Sequence, residues 1–341
     1  MDGVLLLPRL HLLPKGVVIK KPTLDIMQNL EIDMAKIFDK QLLIELHNQE
    51  CDMYTFLNLH PPAPVPMAKC FYKERADDVS YGMLVFEDLT HVGLSLAFGQ
   101  DANVDQVRTL AKLAGQLQAY GFNHADNLDK YVRAPKQNPF EPMLDAFEDN
   151  IKLLREEIGS ERLRYSDEEL KQMKHISEKK LKLFCNPIDY GFTPVLCLGD
   201  VQPNNILWKR SAVDNTTTTD TVAALIDFQV AHIGNCMNDV VSTMAMSMST
   251  EDRRSHEDEF VDIYFDSLKR NLQPGIKCPI SREEAIAVRD ALTAQFGVIG
   301  LSMAPMLRKF FRAANVAEER IDVTYTRMLD VLDDVGPKLM N

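Results

Sequence analysis

The sequence lacks the cysteine patterns that mark a zinc centre or a disulfide framework. Its six cysteines are widely scattered among 341 residues, and they form neither a Cys-x-x-Cys pair nor a Cys/His cluster. Scattered cysteines of this kind predict free thiols in a reduced, intracellular setting, so we expect a cytoplasmic protein.

Long apolar runs are also missing. No stretch approaches the ~20 apolar residues that a helix needs to span a bilayer. The apolar run of residues 4–13 is interrupted by Pro8, Arg9 and His11. We therefore expect neither a signal peptide nor a membrane partner.

Positive charge is scarce relative to negative charge. The chain carries 38 Lys and Arg against 50 Asp and Glu, a formal net charge of −12. Because nucleic-acid binding depends on clustered Lys and Arg, this balance argues against a nucleic-acid partner. Apolar residues, in contrast, make up 45% of the chain, which is enough for a packed globular core.

Two short apolar runs each lead to an aspartate. Residues 195–198 and 223–226 have the character of buried strands, and Asp200 and Asp227 follow them closely. Between the runs, residues 206–208 predict a further strand, followed by a polar hairpin tip. This arrangement is expected to bring two carboxylates to one edge, where they can hold a metal ion against a nucleotide's phosphates.

The spacing of the polar residues in this region is typical of phosphoryl transfer. Asn205 follows Asp200 with four residues between them, and Asp227 is followed by Phe228. Kinases use an Asp and an Asn at this spacing in the catalytic loop, and a later Asp-Phe to bind Mg²⁺. Each piece alone is also typical of turns at strand ends. The joint pattern favours the phosphoryl-transfer hypothesis.

A lysine and a glutamate near the N-terminus form a second candidate pair. Residues 16–20 predict a strand, and residues 39–60 predict a helix in which Glu50 lies on the apolar face. A carboxylate that faces a core is rarely left unpaired, so Lys20 is its predicted partner. The alternative is that Glu50 lies at the edge of the apolar face and is solvated.

These segments together resemble the CHK kinase-like branch (choline-kinase-like and ecdysteroid-kinase-like) of the aminoglycoside phosphotransferase group. The resemblance runs from about residue 16 to the C-terminal helices, and it is carried by residues 17–20, 47–50, 84–89, 198–205 and 226–229. It implies an α+β, protein kinase-like fold with two lobes. The small antiparallel-sheet lobe would cover residues 1–89, and the large helical lobe residues 90–341.

The resemblance also implies a function. Family members transfer the γ-phosphate of ATP to a hydroxyl of a small molecule, so ATP and Mg²⁺ are the expected cofactors. The expected substrate is a choline-like, steroid-like or other alcohol. By this resemblance Asp200 would orient the acceptor hydroxyl and take its proton, Asn205 and Asp227 would bind Mg²⁺, and Lys20 with Glu50 would steady the phosphates.

The resemblance places an interlobe hinge at residues 86–89. Backbone groups there, at Glu87 and Leu89, would meet the adenine base. It also places the motif lysine at position 20 rather than at the adjacent Lys21. Beyond the hinge the apolar periodicity predicts helices over residues 101–120, 140–158, 167–184, 236–248, 252–272, 282–296 and 318–332. Asp239 falls in the first turn of one of them, where an acid suits the helix dipole.

Two departures from the family pattern support an alternative. The family usually has His two positions before the catalytic Asp, where this chain has Leu198. Only 19 residues precede Lys20, and they contain no Gly-x-Gly to cover the phosphates. The alternative is a catalytically impaired kinase-like protein with a shortened nucleotide-binding lobe. The sequence leaves the acceptor and the oligomeric state open.

Overall fold

The computed structural model describes residues 16–22, 40–97, 99–134, 144–159, 161–180 and 186–340. Some sequence-based predictions lie outside these ranges. They are the interrupted apolar run at 4–13, the first residue of the helix predicted over 39–60, the start of the helix predicted over 140–158, and the end of that predicted over 167–184.

A three-stranded antiparallel sheet forms the N-terminal part of the described chain. Strands β1 (Val17–Lys20), β2 (Cys70–Glu74) and β3 (Met83–Glu87) are arranged in the order β1-β3-β2. The central strand β3 alternates buried and half-buried side chains, as a strand with one covered face does. Its buried residues, Leu84 and Phe86, point toward the rest of the molecule.

Helix α1 (Lys40–Leu59) connects this sheet to the rest of the molecule. Its apolar face is buried, and Tyr54 lies near the middle of that face. The Tyr54 ring packs between Phe86 of β3 and Phe228, with centroid separations of 5.0 Å to each. Because Phe228 directly follows Asp227, this aromatic contact ties α1 to the second predicted site segment.

The remainder of the described chain is mostly helical, with two small sheets. The sheets have the orders β4-β6-β7 and β5-β8. The elements in chain order are β4 (Gly93–Leu94), α2 (Val104–Asn123), α3 (Ala125–Tyr131), α4 (Phe147–Ile158), α5 (Asp167–Lys180), β5 (Val195–Cys197), β6 (Ile206–Arg210), β7 (Thr218–Leu225), β8 (His232–Gly234), α6 (Asn238–Ser247), α7 (Thr250–Asn271), α8 (Arg282–Ala313) and α9 (Glu318–Met340).

The strands predicted around the two aspartates are present. Strand β5 is fully buried, and β6 pairs with β7 as a hairpin whose exposed tip covers residues 211–217. Trp208 of β6 lies in the core with no exposed surface. The chain therefore reaches Asp200 and Asp227 from buried, hydrogen-bonded strands.

The helix predicted over 282–296 is too short, because α8 continues to Ala313. Gly297, Gly300 and Pro305 lie within it, and each of these residue types disfavours a helix interior. Packing against α9 overrides that local preference. A Cβ at Gly297 would lie 3.3 Å from side-chain atoms of Val331 and Val335, so glycine permits the two helices to approach closely.

Two apolar clusters make up the interior. The larger joins α1, the strands, α2, α6 and α7. The smaller is formed by α4, α5, the second half of α8 and α9. Within the ranges that the structure describes, every helix is too short or too polar to cross a membrane.

Candidate active site

The hairpin β6–β7 brings Asn205 and Asp227 together. Ile206 and Leu225 are directly paired residues of the two strands, and the backbone N–H of Ile226 donates to the Asn205 carbonyl oxygen at 3.0 Å. Asn205 comes just before β6 and Asp227 comes shortly after β7, so both residues lie at the same end of the hairpin. Asp227 has a φ of +65°, a backbone conformation that aspartate tolerates better than most residues.

The Asp200 carboxylate is held by side-chain amides. Asn205 Nδ2 donates to Asp200 Oδ2 at 2.9 Å and to the Asp200 carbonyl oxygen at 3.0 Å. Gln202 Nε2 donates to Asp200 Oδ1. Burial raises the pKa of Asp200, and the negative charge of Asp227 adds to that rise while the two amide contacts oppose it. Asp227 thus lies close enough to Asp200 for its charge to act on the Asp200 carboxyl.

Lys20 contacts carboxylates from two other parts of the chain. Its Nζ lies 2.6 Å from Glu50 Oε2 and 2.7 Å from Asp227 Oδ1. The contact with Glu50 is the one predicted from the apolar face of α1, and the Glu50 side chain is only 1% exposed. Burial alone would lower the pKa of Lys20, but the two carboxylates outweigh it and the pKa is raised. Burial raises the pKa of Glu50 despite the adjacent ammonium.

Asp239 has a role that sequence reasoning missed. Its Oδ2 and Oδ1 accept the backbone N–H groups of Leu198 and Gly199, at 2.9 Å each, and its side chain is buried. Burial raises the pKa of Asp239. Its position in the first turn of α6 was correctly predicted, but its main contact is with the segment leading to Asp200. The signal that could have revealed this role is a carboxylate at the start of α6, where the neighbouring residues are buried, because a buried carboxylate needs a partner.

Gly199 permits this close approach. Its φ is +87°, and a Cβ there would lie 2.4 Å from the Val230 carbonyl oxygen. No side chain fits at that distance, and a positive φ favours glycine. The glycine therefore lets the backbone turn from β5 toward Asp200 while its N–H remains bonded to Asp239.

The predicted hinge residues have part of their backbone engaged. The N–H of Glu87 donates to the Lys69 carbonyl oxygen at 2.9 Å. The Leu89 carbonyl oxygen accepts the N–H groups of Val92 and Gly93 at 3.0 and 2.9 Å. A base at this position would therefore use the Glu87 carbonyl and the Leu89 N–H, and the adenine-binding role of both residues stays a prediction.

The oxygen donors at the cleft suit a magnesium ion. Mg²⁺ is usually bound by one or two carboxylates together with substrate phosphates and water. Asp227 supplies a carboxylate and Asn205 an amide oxygen, so the donor chemistry fits. In the described part of the chain no three His, Cys, Asp or Glu side chains come together as a metal cluster.

A small antiparallel sheet with a Lys–Glu pair, joined to a helical lobe that carries Asp200 and Asp227, defines a kinase-like two-lobe fold. A solved GDP complex of a mutant aminoglycoside 2'-phosphotransferase-IIIa has this fold. It matches with a TM-score of 0.50 and 14% identity, over 88% of this chain and 85% of that chain. The two proteins therefore share this fold.

The chain belongs to the family whose model is described as uncharacterized oxidoreductase dhs-27, which matches residues 18–336. It is 23% identical to uncharacterized oxidoreductase dhs-27 of Caenorhabditis elegans over 234 residues, 65% of this chain and 26% of that protein. It is also 23% identical to an uncharacterized kinase-like protein of Caenorhabditis elegans over 240 residues, 67% of this chain and 58% of that protein. The match thus spans about a quarter of one curated relative and somewhat more than half of the other.

Proposed function

We propose that the protein transfers the γ-phosphate of ATP to a hydroxyl of a small molecule. The observation that carries this proposal is the position of Lys20, which contacts Glu50 and Asp227 at 2.6 and 2.7 Å although Asp227 lies 207 residues away along the chain. Phosphoryl transfer depends on positioning and charge neutralisation, and this cluster provides both beside Asp200.

Each polar group has a distinct task in the proposed reaction. Asp200 orients the acceptor hydroxyl and takes its proton. Lys20 gives up its contact with Asp227 and binds phosphate oxygens, while Glu50 keeps the Lys20 ammonium in place. Asn205 and Asp227 would hold Mg²⁺, which neutralises charge on the phosphates when it is bound. The Glu87 carbonyl and the Leu89 N–H would receive the base.

The proposed substrate is a small alcohol, which is choline-like, steroid-like or of another kind. The kinase-like relative supports a phosphotransferase, and the solved relative in its GDP complex supports use of a nucleotide. The oxidoreductase name belongs to a protein of which the match covers only 26%, so we do not carry it to this chain. Buried free thiols at Cys51 and Cys197 support action in the reducing cytoplasm.

The proposal is tested by calorimetry and by an ATP-consumption screen. Wild-type protein is expected to bind ATP in a Mg²⁺-dependent manner, and Asp227→Ala to lose that binding. The exposed helix residue Asp322 provides the matched control, Asp322→Ala, which should bind as wild type does. A library of small alcohols then identifies the acceptor by ATP consumption. If wild-type protein binds no Mg²⁺–ATP, the proposal fails.

A second candidate is a nucleotide-binding protein without turnover. The observation that favours it is Leu198, a buried apolar side chain at a position where the resembling family has His. Binding of Mg²⁺–ATP without consumption in the presence of any alcohol of the screen would favour this candidate. ATP consumption by the wild-type protein that is lost in Asp200→Asn would eliminate this second candidate.

A further inference from the structure

Gln202 lies in the candidate site, and the roles assigned above do not include it. Its Nε2 donates to Asp200 Oδ1, while Asn205 Nδ2 donates to Asp200 Oδ2 at 2.9 Å. Each carboxylate oxygen of Asp200 thus receives one amide N–H, from a residue on either side of Pro203. A carboxylate oxygen accepts more than one hydrogen bond, so both oxygens keep capacity for a further donor.

The local sequence fixes Gln202 in this position. The residue before a proline is confined to extended conformations, and Gln202, followed by Pro203, has φ −96° and ψ 160°. From this position the Gln202 side chain reaches the Asp200 carboxylate. Val201, which lies between them, is buried, and its carbonyl oxygen accepts the Thr243 hydroxyl at 2.9 Å.

Gln202 is also anchored by its own backbone. Its carbonyl oxygen accepts the N–H of Asn205 at 2.9 Å, which closes the short turn through Pro203. The backbone of Gln202 therefore holds Asn205, and the side chains of both residues hold Asp200.

We propose that Gln202 is a positioning residue of the reaction, which fixes the plane of the Asp200 carboxylate toward the acceptor hydroxyl. The inference rests on the proposed function. With Asn205 as the only side-chain anchor, the carboxylate can rotate about its Cβ–Cγ bond. Two amide donors on two different oxygens fix that rotation. A base held in the reactive orientation reacts faster than one that must find it.

Kinetics of Gln202→Met test the inference. Methionine keeps the length of glutamine and removes the amide donor. The kcat for phosphoryl transfer to the best alcohol of the screen is expected to fall roughly 10- to 100-fold, the range for one lost hydrogen bond to a charged group. The KM for ATP should stay unchanged. The control is Gln172→Met on the exposed face of α5, for which kcat should equal that of wild type.

A second variant covers the case in which Gln202→Met does not fold. Gln202→Glu has the size of the native side chain but places a second carboxylate against Asp200. Repulsion should turn the base away, so kcat should fall further than in Gln202→Met, again at unchanged KM for ATP. A purely structural role for Gln202 predicts lower stability at unchanged kcat, and that result would overturn the inference.

A double-mutant cycle tests the contact without any turnover. Urea unfolding of wild type, Gln202→Met, Asp200→Ala and the double variant should show non-additive losses of stability, because the two side chains touch. Additive losses would overturn the inference and leave the proposed function intact. Absence of transfer by the wild type in every assay would instead overturn the proposed function, and the inference with it.

Discussion

The two sides of the candidate cleft are built differently. One side, here named the floor segment, is residues 195–239. Within it the contacts of Asp200, Asn205 and Asp239 link residues at most 41 positions apart, and Asn205 and Asp239 are 6% and 4% exposed. The other side is the Lys20–Glu50 pair, whose lysine is 31% exposed and lies on the edge strand β1. The floor segment is thus held by its own buried contacts, whereas the pair depends on packing between distant elements.

This difference separates two kinds of outcome. A change in the buried part of the floor segment should alter the free energy of unfolding, because desolvated polar groups lose their partners. A change at Lys20 should alter nucleotide binding as well as stability, because it removes the group that would bind the phosphates and also leaves the buried Glu50 carboxylate without its ammonium.

The largest effect is expected at the cleft-facing carboxylate of the floor segment. Asp200→Asn keeps the shape of the side chain but removes the ability to take a proton. Phosphoryl transfer should fall roughly 10³-fold, within the range for loss of a general base, while Mg²⁺–ATP affinity stays unchanged. Steady-state kinetics and calorimetry measure the two quantities.

The control for this prediction is Asp220→Asn, a change to an exposed carboxylate on β7. It should leave both transfer and binding as in wild type. If Asp200→Asn turns over at the wild-type rate, then Asp200 is not the base.

The next largest effect is expected at the buried end of the floor segment. In Asp239→Asn the side chain keeps one acceptor oxygen for the two N–H groups of Leu198 and Gly199, and its own NH₂ faces one of them. We expect the free energy of unfolding to fall by about 2–3 kcal/mol, measured by urea denaturation.

A first-turn acid on another helix separates this contact from a simple helix-dipole effect. Asp126 lies exposed in the first turn of α3. Asp126→Asn should therefore cost less than about 1 kcal/mol, the usual size of the dipole contribution. Equal losses in Asp239→Asn and Asp126→Asn would mean that Asp239 acts only through the dipole of α6.

The floor segment was largely predictable from the sequence because its geometry is local. Two buried strands lead to aspartates, and a hairpin lies between them. These elements place Asp200, Asn205 and Asp227 within one short, continuous stretch of the chain. The Lys20–Glu50 contact was predicted from the apolar face of α1 together with a family resemblance. Neither argument gives the strand order β1-β3-β2, which depends on pairing between distant segments.

The parts that sequence reasoning missed depend on tertiary contacts. Asp239 reaches backbone groups 40 and 41 residues earlier, and nothing in the local composition of α6 identifies them. Helix α8 continues through Pro305 because packing against α9 outweighs local helix propensity. In both cases a long-range contact, absent from any short sequence window, decides the outcome.

A smaller effect is expected at the Lys20–Glu50 pair. Lys20→Met keeps the aliphatic stem and removes the ammonium that would bind the phosphates. We expect Mg²⁺–ATP affinity to fall about tenfold, or about 1.4 kcal/mol, in calorimetry. The adjacent, exposed Lys21 offers a matched control, since Lys21→Met removes the same charge from the same strand end. An equal loss in both variants would show that only the net charge of this region matters.

The smallest effect should be a pH dependence on the same side of the cleft. His47 lies on α1, one turn before Glu50, and its Nε2 donates to the Glu74 carbonyl oxygen at 2.7 Å. Burial lowers the pKa of His47. The contact with Glu74 partly offsets this, and the charges of Lys20 and Arg75 add to the lowering. A further titratable neighbour is Cys51, whose Sγ lies 3.7 Å from His47 Nε2.

A lowered pKa of His47 in the folded state makes stability depend on pH in one direction. Above about pH 6.5, the ordinary histidine pKa, both states are neutral and the contribution is fully present. As the pH falls below that value, the unfolded state takes up a proton first and stability is lost through the folded-state pKa. His47→Gln keeps an amide donor for Glu74 and should flatten the loss between pH 7.5 and 5.5, by less than about 1 kcal/mol. The exposed His175 supplies the control, His175→Gln, and identical pH profiles for wild type and His47→Gln would contradict the assignment.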